Sequence, residues 1–80
     1  MTTPSDDDIA QALMTLADAR GADKSFCPSE VARHLSEDWR PLMGRVRKVA
    51  LDLPLMATQK GHGVDLRRVR GPVRLSLKKD

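Results

Sequence analysis

The stretch CPSEVARHLSEDWRPLMGRVRKVALDLP, residues 27–54, decides the predicted fold because it holds two short amphipathic helices joined by a short turn. Pro28 suits the first position of a helix, where its missing N–H is not needed, and apolar residues follow at helical spacing. Asp38 is the predicted N-cap of the next helix, since it leaves Pro41 inside the first turn. Pro54 is its predicted end, because the residue before a proline is driven out of the helical region.

The sequence before this stretch predicts a first helix and an anchored connector. Ser5 followed by Asp8 is the pattern of a capping box, and apolar residues recur at helical spacing over about residues 6–19. Gly21 is the predicted stop, since glycine tolerates the backbone conformation at which helices end. The connector that follows has one large apolar residue, Phe26, which we expect to anchor it to the core.

After the third helix the apolar period changes from about 3.6 to 2 residues, which predicts β-strands over residues 55–60 and 73–77. Glycines and a Gly-Pro pair between them predict a long hairpin loop over residues 61–72. The predicted fold is mainly α within the α+β class: a winged helix-turn-helix of three helices followed by a two-stranded β-hairpin wing. We expect one domain over residues 1–80, with residues 1–5 as a frayed tip.

Length and composition exclude several classes of protein. Eighty residues are enough for one small domain, and a single cysteine, Cys27, excludes an intramolecular disulfide framework. No apolar run reaches the roughly 20 residues of a membrane span, and the N-terminus is acidic where a signal peptide is basic, so we expect a cytoplasmic protein. No nucleophile–base pair or phosphate-binding glycine loop is present, which predicts no enzyme activity and no cofactor.

The possible metal ligands lack a recognised spacing. Cys27, His34 and His62 stand far apart in the sequence, so no metal site is predicted. A thiol or metal sensor built on Cys27 is the weakest of the functional hypotheses, and its one supporting feature is the position of the thiol just before a helix.

Charge divides the chain into two halves. Residues 1–38 carry three basic and eight acidic side chains, whereas residues 39–79 carry eleven basic and two acidic ones. Such asymmetry indicates a polyanionic partner for the basic half, although a solvated basic surface has the same composition.

The basic residues fall in the two elements with which a winged helix contacts DNA. On a helical wheel Arg40 and Arg47 lie on one outer face of the third helix, where they are predicted to read base edges. The basic wing is predicted to lie along the phosphate backbone. The predicted nucleic-acid-binding residues are Arg40, Arg45, Arg47, Lys48, Lys60, Arg67, Arg68, Arg70 and Arg74.

Two further residues of the third helix allow alternative interpretations. Gly44, on the outer face, either permits close approach of a partner to the backbone or is simply tolerated there. Trp39 either stacks on a base or belongs to the core, and the core is favoured.

Five blocks of the sequence carry a family resemblance. They are FCPSEVA at 26–32, WR at 39–40, RKVA at 47–50, TQKG at 58–61 and RGPVRL at 70–75. Together they resemble the bacterial domain-of-unknown-function family 3253 over about residues 7–77. The resemblance implies a winged-helix-like fold and brings no established activity.

Two partners remain open at this point. The favoured hypothesis is a small protein that binds nucleic acid, duplex DNA in particular, as a transcriptional regulator would. The alternative is a protein-interaction module that docks an acidic partner on the same basic face. A homodimer is compatible with either, through Leu51 or the first helix.

Overall fold

The computed structural model describes residues 4–78, in which three helices precede a three-stranded antiparallel sheet. The helices are α1 (Asp6–Arg20), α2 (Pro28–Leu35) and α3 (Met43–Ala50), and a 3-10 turn over Arg40–Leu42 leads into α3. The strands are β1 (Leu55–Gln59), β2 (His62–Val64) and β3 (Arg74–Leu77). The α+β class is confirmed, and three helices followed by an antiparallel sheet are consistent with a winged-helix-like layout, but the sheet has three strands rather than two.

The first two helices begin as predicted. Ser5 Oγ accepts a hydrogen bond from the Asp8 N–H at 3.1 Å, and the Asp8 carboxylate accepts one from the Ser5 N–H at 3.0 Å. This capping box satisfies two backbone donors at the start of α1. At α2 the Glu30 carboxylate accepts from the Cys27 N–H at 2.9 Å. Of the predicted frayed tip, residues 1–3 lie outside the described residues.

The third helix is shorter than predicted at both ends. Asp38 does not cap it: Trp39 is the cap of the 3-10 turn and Leu42 that of α3, and neither makes a side-chain capping bond. Pro41 disfavours α-helical geometry at the residue before it, so the chain enters through the 3-10 turn. At the other end α3 stops at Ala50, and residues 51–54 form turns. Within the described helices, none is long and apolar enough to cross a membrane.

The strand missed by the prediction, β2, is joined to β1 by a two-residue turn. Lys60 and Gly61 both have positive φ, 53° and 83°, as the tight hairpin turn with right-handed twist requires. Gln59 then pairs with His62, and Thr58 with Gly63. Because Gly63 lies inside a strand, the glycines that predicted a long loop mark a hairpin instead.

The connector between α1 and α2 is pinned to the sheet at Phe26. Its N–H donates to the Leu75 carbonyl at 2.8 Å, and the Leu75 N–H donates to the Phe26 carbonyl at 2.7 Å. The Phe26 side chain has no exposed surface, as the predicted anchor requires. The core around it is formed by Ile9, Leu13, Ala17, Val31, Ala32, Leu42, Val46, Ala50, Ala57 and Leu75.

Replacing the anchor should destabilise the whole domain. We expect Phe26→Ala to lower the free energy of unfolding by about 3–5 kcal/mol, because it leaves a cavity where helices and sheet meet. Leu51→Ala is the control, since this side chain is 36% exposed and its loss should cost less than about 0.5 kcal/mol. Urea unfolding followed by circular dichroism measures both. Equal losses for the two variants would contradict the anchor role.

Glu30 makes the stability of the α2 start dependent on pH. The Cys27 N–H holds the pKa of the Glu30 carboxyl below its ordinary value of 4.5; burial acts in the opposite direction, and Arg20 adds to the lowering. Arg20 Nη2 lies 3.0 Å from Glu30 Oε1. A group with a lowered folded-state pKa stabilises the fold above its unfolded pKa, and this contribution is lost as pH falls through the folded pKa.

On acidification the wild-type protein should therefore lose the stabilisation that the Glu30 carboxylate provides, whereas Glu30→Gln has no such stabilisation to lose. We expect the thermal midpoint of the wild type to exceed that of Glu30→Gln at pH 7. The difference should shrink as the pH falls below 4.5. Glu37→Gln, which changes an exposed carboxylate outside this cluster, is the control. A midpoint difference that stays constant from pH 7 to the acid limit would argue against the Glu30 contribution.

Candidate nucleic-acid interface

The crossover loop, residues 65–72, connects β2 to β3 and lies against α3. Arg47 Nη2 donates to the Val69 carbonyl at 3.5 Å, and Arg47 Nε is buried without a hydrogen-bond partner in the described part of the chain. The sequence predicts Arg47 on an exposed face with Arg40, whereas the structure half-buries it under the loop. Arg47 therefore joins the third helix to the wing.

A second contact holds the crossover loop at the end of β1. Gln59 Nε2 donates to the carbonyls of Arg70 and Pro72, at 2.8 and 3.1 Å. Gln59 has the same strand parity as Ala57, which is buried, so its side chain belongs to the core-facing side of β1. The loop is thus tied down on the side of the sheet that carries the helices.

The start of the loop is ordered by Asp65. Its carbonyl accepts from the N–H groups of Arg68 and Val69 at 3.0 and 2.9 Å, and its carboxylate accepts from the Arg67 N–H at 3.0 Å. Arg68 Nε lies 3.8 Å from the same carboxylate, although this arginine side chain remains 89% exposed. The backbone of Arg67 and Arg68 is therefore fixed while their side chains extend into solvent.

The nine predicted site residues divide into two groups. Five have exposed side chains that form no hydrogen bond or ion pair within residues 4–78: Arg40, Lys48, Lys60, Arg67 and Arg70. The other four use their side chains in contacts within the fold: Arg45, Arg47, Arg68 and Arg74.

Arg74 and Arg45 connect parts of the domain to one another. Arg74 donates from Nε to Ser25 Oγ at 2.6 Å and from Nη2 to the Ser25 carbonyl at 2.9 Å, and Nη1 lies 3.5 Å from Cys27 Sγ. Arg45 Nη2 contacts Asp6 Oδ1 at 2.7 Å, which joins α3 to the start of α1. Arg74 thus uses all three of its guanidinium nitrogens in contacts within the protein, and Arg45 uses one.

Trp39 packs partly buried against the core, as predicted, and two arginines contact its ring. The guanidinium carbons of Arg33 and Arg40 lie 4.6 and 5.0 Å from the ring centroid. Arg33 has no place among the predicted site residues, because nothing in the sequence spacing indicates that the end of α2 folds over Trp39.

The sulfur and imidazole side chains are dispersed. Cys27 is half-buried beside Arg74, whereas His34 and His62 are exposed on α2 and β2. Across residues 4–78 no three His, Cys, Asp or Glu side chains are grouped so that they could hold a metal ion.

These features define a small winged-helix-like domain with a basic loop folded onto its third helix. The chain belongs to a family described as "Protein of unknown function (DUF3253)", whose model matches residues 6–78. The family predicted from the sequence blocks is thereby confirmed. Comparison with curated proteins finds no match.

Gly44 tests whether packing within the domain requires a glycine on the exposed face of α3. A Cβ at this position would meet no atom within 4 Å, so the fold itself does not require glycine there. We expect Gly44→Ala to raise the free energy of unfolding by about 0.5–1 kcal/mol, since alanine restricts the unfolded chain and favours the helix. Urea unfolding measures this effect. A destabilised variant would contradict the open space at this position.

Proposed function

We propose that this domain binds duplex DNA through a single surface formed by α3 and the crossover loop. The observation that carries the proposal is the contact between Arg47 and the Val69 carbonyl, because it places the basic loop beside the third helix. In a winged-helix protein, the third helix and the wing are the elements offered to the groove and the backbone of DNA.

The charges left free on this surface suit a polyanion. The side chains of Lys48 on α3 and of Arg67 and Arg70 on the loop are exposed and form no hydrogen bond or ion pair within the described chain. The one carboxylate of the loop, Asp65, already accepts the Arg67 N–H and lies near Arg68. Cations in this state can replace the counterions of several phosphates, which supplies much of the affinity of proteins for DNA.

Arg47 takes a different role in this proposal from the one predicted. It supports the loop from beneath and does not read bases, so its replacement would disturb the surface instead of deleting one DNA contact. Lys48, one position further and exposed, is the residue of α3 that faces the partner. Its single ammonium group suits a phosphate better than bidentate recognition of a base.

The alternative partner is an acidic protein on the same face. Leu51 and Met56 are each 36% exposed and line a shallow cavity of about 460 Å³ near Lys78. An apolar patch with a polar rim has the anatomy of a protein interface. Leu51→Ser separates the two partners, because it should weaken a protein complex and leave the salt dependence of DNA binding unchanged.

The DNA proposal predicts a loss of phosphate contacts on charge removal. We expect Lys48→Gln and Arg70→Gln each to reduce the slope of log affinity against log salt concentration by about one contact. Fluorescence anisotropy of a labelled duplex, measured over a range of salt concentrations, gives the slopes. Neither side chain lies in the core, so the thermal midpoints should not change.

Lys24→Gln is the matched control for this experiment. Lys24 is an exposed residue of the α1–α2 connector, and its replacement changes the net charge by the same amount. Its slope should equal that of the wild type. Absence of wild-type binding to duplex even at low salt, or equal slopes for all three variants, would refute the proposal.

A further inference from the structure

A second basic cluster lies at the turn between α2 and α3. Arg33 comes from the last turns of α2 and Arg40 from the 3-10 turn, and both guanidinium groups lie over the ring of Trp39. Trp39 packs against the core, so the surface that the two arginines share is fixed by the fold. Both arginine side chains are exposed.

These two arginines are oriented without using their hydrogen-bond donors. A guanidinium contacts an aromatic ring through its face, which leaves its N–H groups free. Four other arginines that are held in place instead donate to a protein acceptor or lie beside a carboxylate: Arg20, Arg45, Arg47 and Arg74. Arg33 and Arg40 are therefore held in position by the ring, and their guanidinium N–H groups remain available to a ligand.

We propose that Arg33, Trp39 and Arg40 form a phosphate-binding site for the phosphodiester backbone of a nucleic acid. From their distances to one ring, the two guanidinium carbons lie within about 10 Å of each other. Backbone phosphates follow one another at about 3.4 Å of helix axis per strand, so this span covers one phosphate or neighbouring ones. Planar forks of N–H donors match phosphate oxygens in geometry as well as in charge.

The acidic residues of the same turn favour a ligand that is also held elsewhere on the protein. Glu37 and Asp38 are exposed, and neither forms an ion pair with Arg33 or Arg40. Their carboxylates weaken the attraction for an isolated anion. A nucleic acid that is also held at α3 and the crossover loop is presented to the cluster at high effective concentration. The site therefore rests on the proposed DNA binding and extends it to the α2–α3 turn.

The test removes each charge separately. We expect Arg33→Gln and Arg40→Gln each to reduce the salt slope of duplex binding by about one contact, and the double variant by about two. Lys24→Gln, with the same change of charge, should leave the slope at the wild-type value. Trp39→Phe keeps an aromatic face under both arginines and should retain the wild-type slope. Circular dichroism verifies that each variant is folded.

Trp39 also reports on the site directly, because it is the only tryptophan of the chain. Its emission should change when the wild-type protein is saturated with duplex, and this change should be lost in the Arg33→Gln/Arg40→Gln variant. If the wild type binds duplex but both arginine variants keep its slope and its emission change, this site is refuted and the proposed function stands. If the wild type does not bind duplex, both proposals fail.

Discussion

The pair of backbone hydrogen bonds between Phe26 and Leu75 joins the helical half of the domain to its sheet. A domain of this size has little core to spare, and a small sheet is stable only when it is packed against something else. The buried Phe26 ring fills the junction, so the same residue contributes both the backbone pairing and the apolar contact. The orientation of the wing relative to α3 depends on this junction.

Local patterns in the sequence were sufficient for the first two helices and for the anchor. The capping box at Ser5 and Asp8 and the lone large apolar residue Phe26 act over a few residues, and such signals are read directly from the chain. The edge strand β2 escaped prediction because its three residues, His62–Val64, show no apolar alternation. The early end of α3 was not predicted either. Pro54 sets the last position that the helix could reach, but the helix ends four residues earlier, at Ala50.

The sequence predicted which helix and which loop form the candidate surface. It did not predict which arginine side chains are exposed and which make contacts within the fold. The pairing of Arg47 with Val69 spans 22 residues and that of Arg74 with Ser25 spans 49, so both depend on how loops fold back. Folding also brings some charges of the acidic half of the sequence next to charges of the basic half. Arg45, for example, comes from the basic half and pairs with Asp6 of the acidic half. Arg67 and Arg70 of the crossover loop keep exposed side chains that are not paired in this way.

The position of β2 at the margin of the sheet has a consequence for self-association. The order β2-β1-β3 leaves one side of β2 without a partner strand, and such an edge can recruit a strand from another molecule and begin aggregation. Here the edge is only three residues long and contains Gly63, flanked by the tight turn on one side and the crossover loop on the other. An edge this short offers too few backbone groups for stable strand addition, which disfavours extension of the sheet at β2.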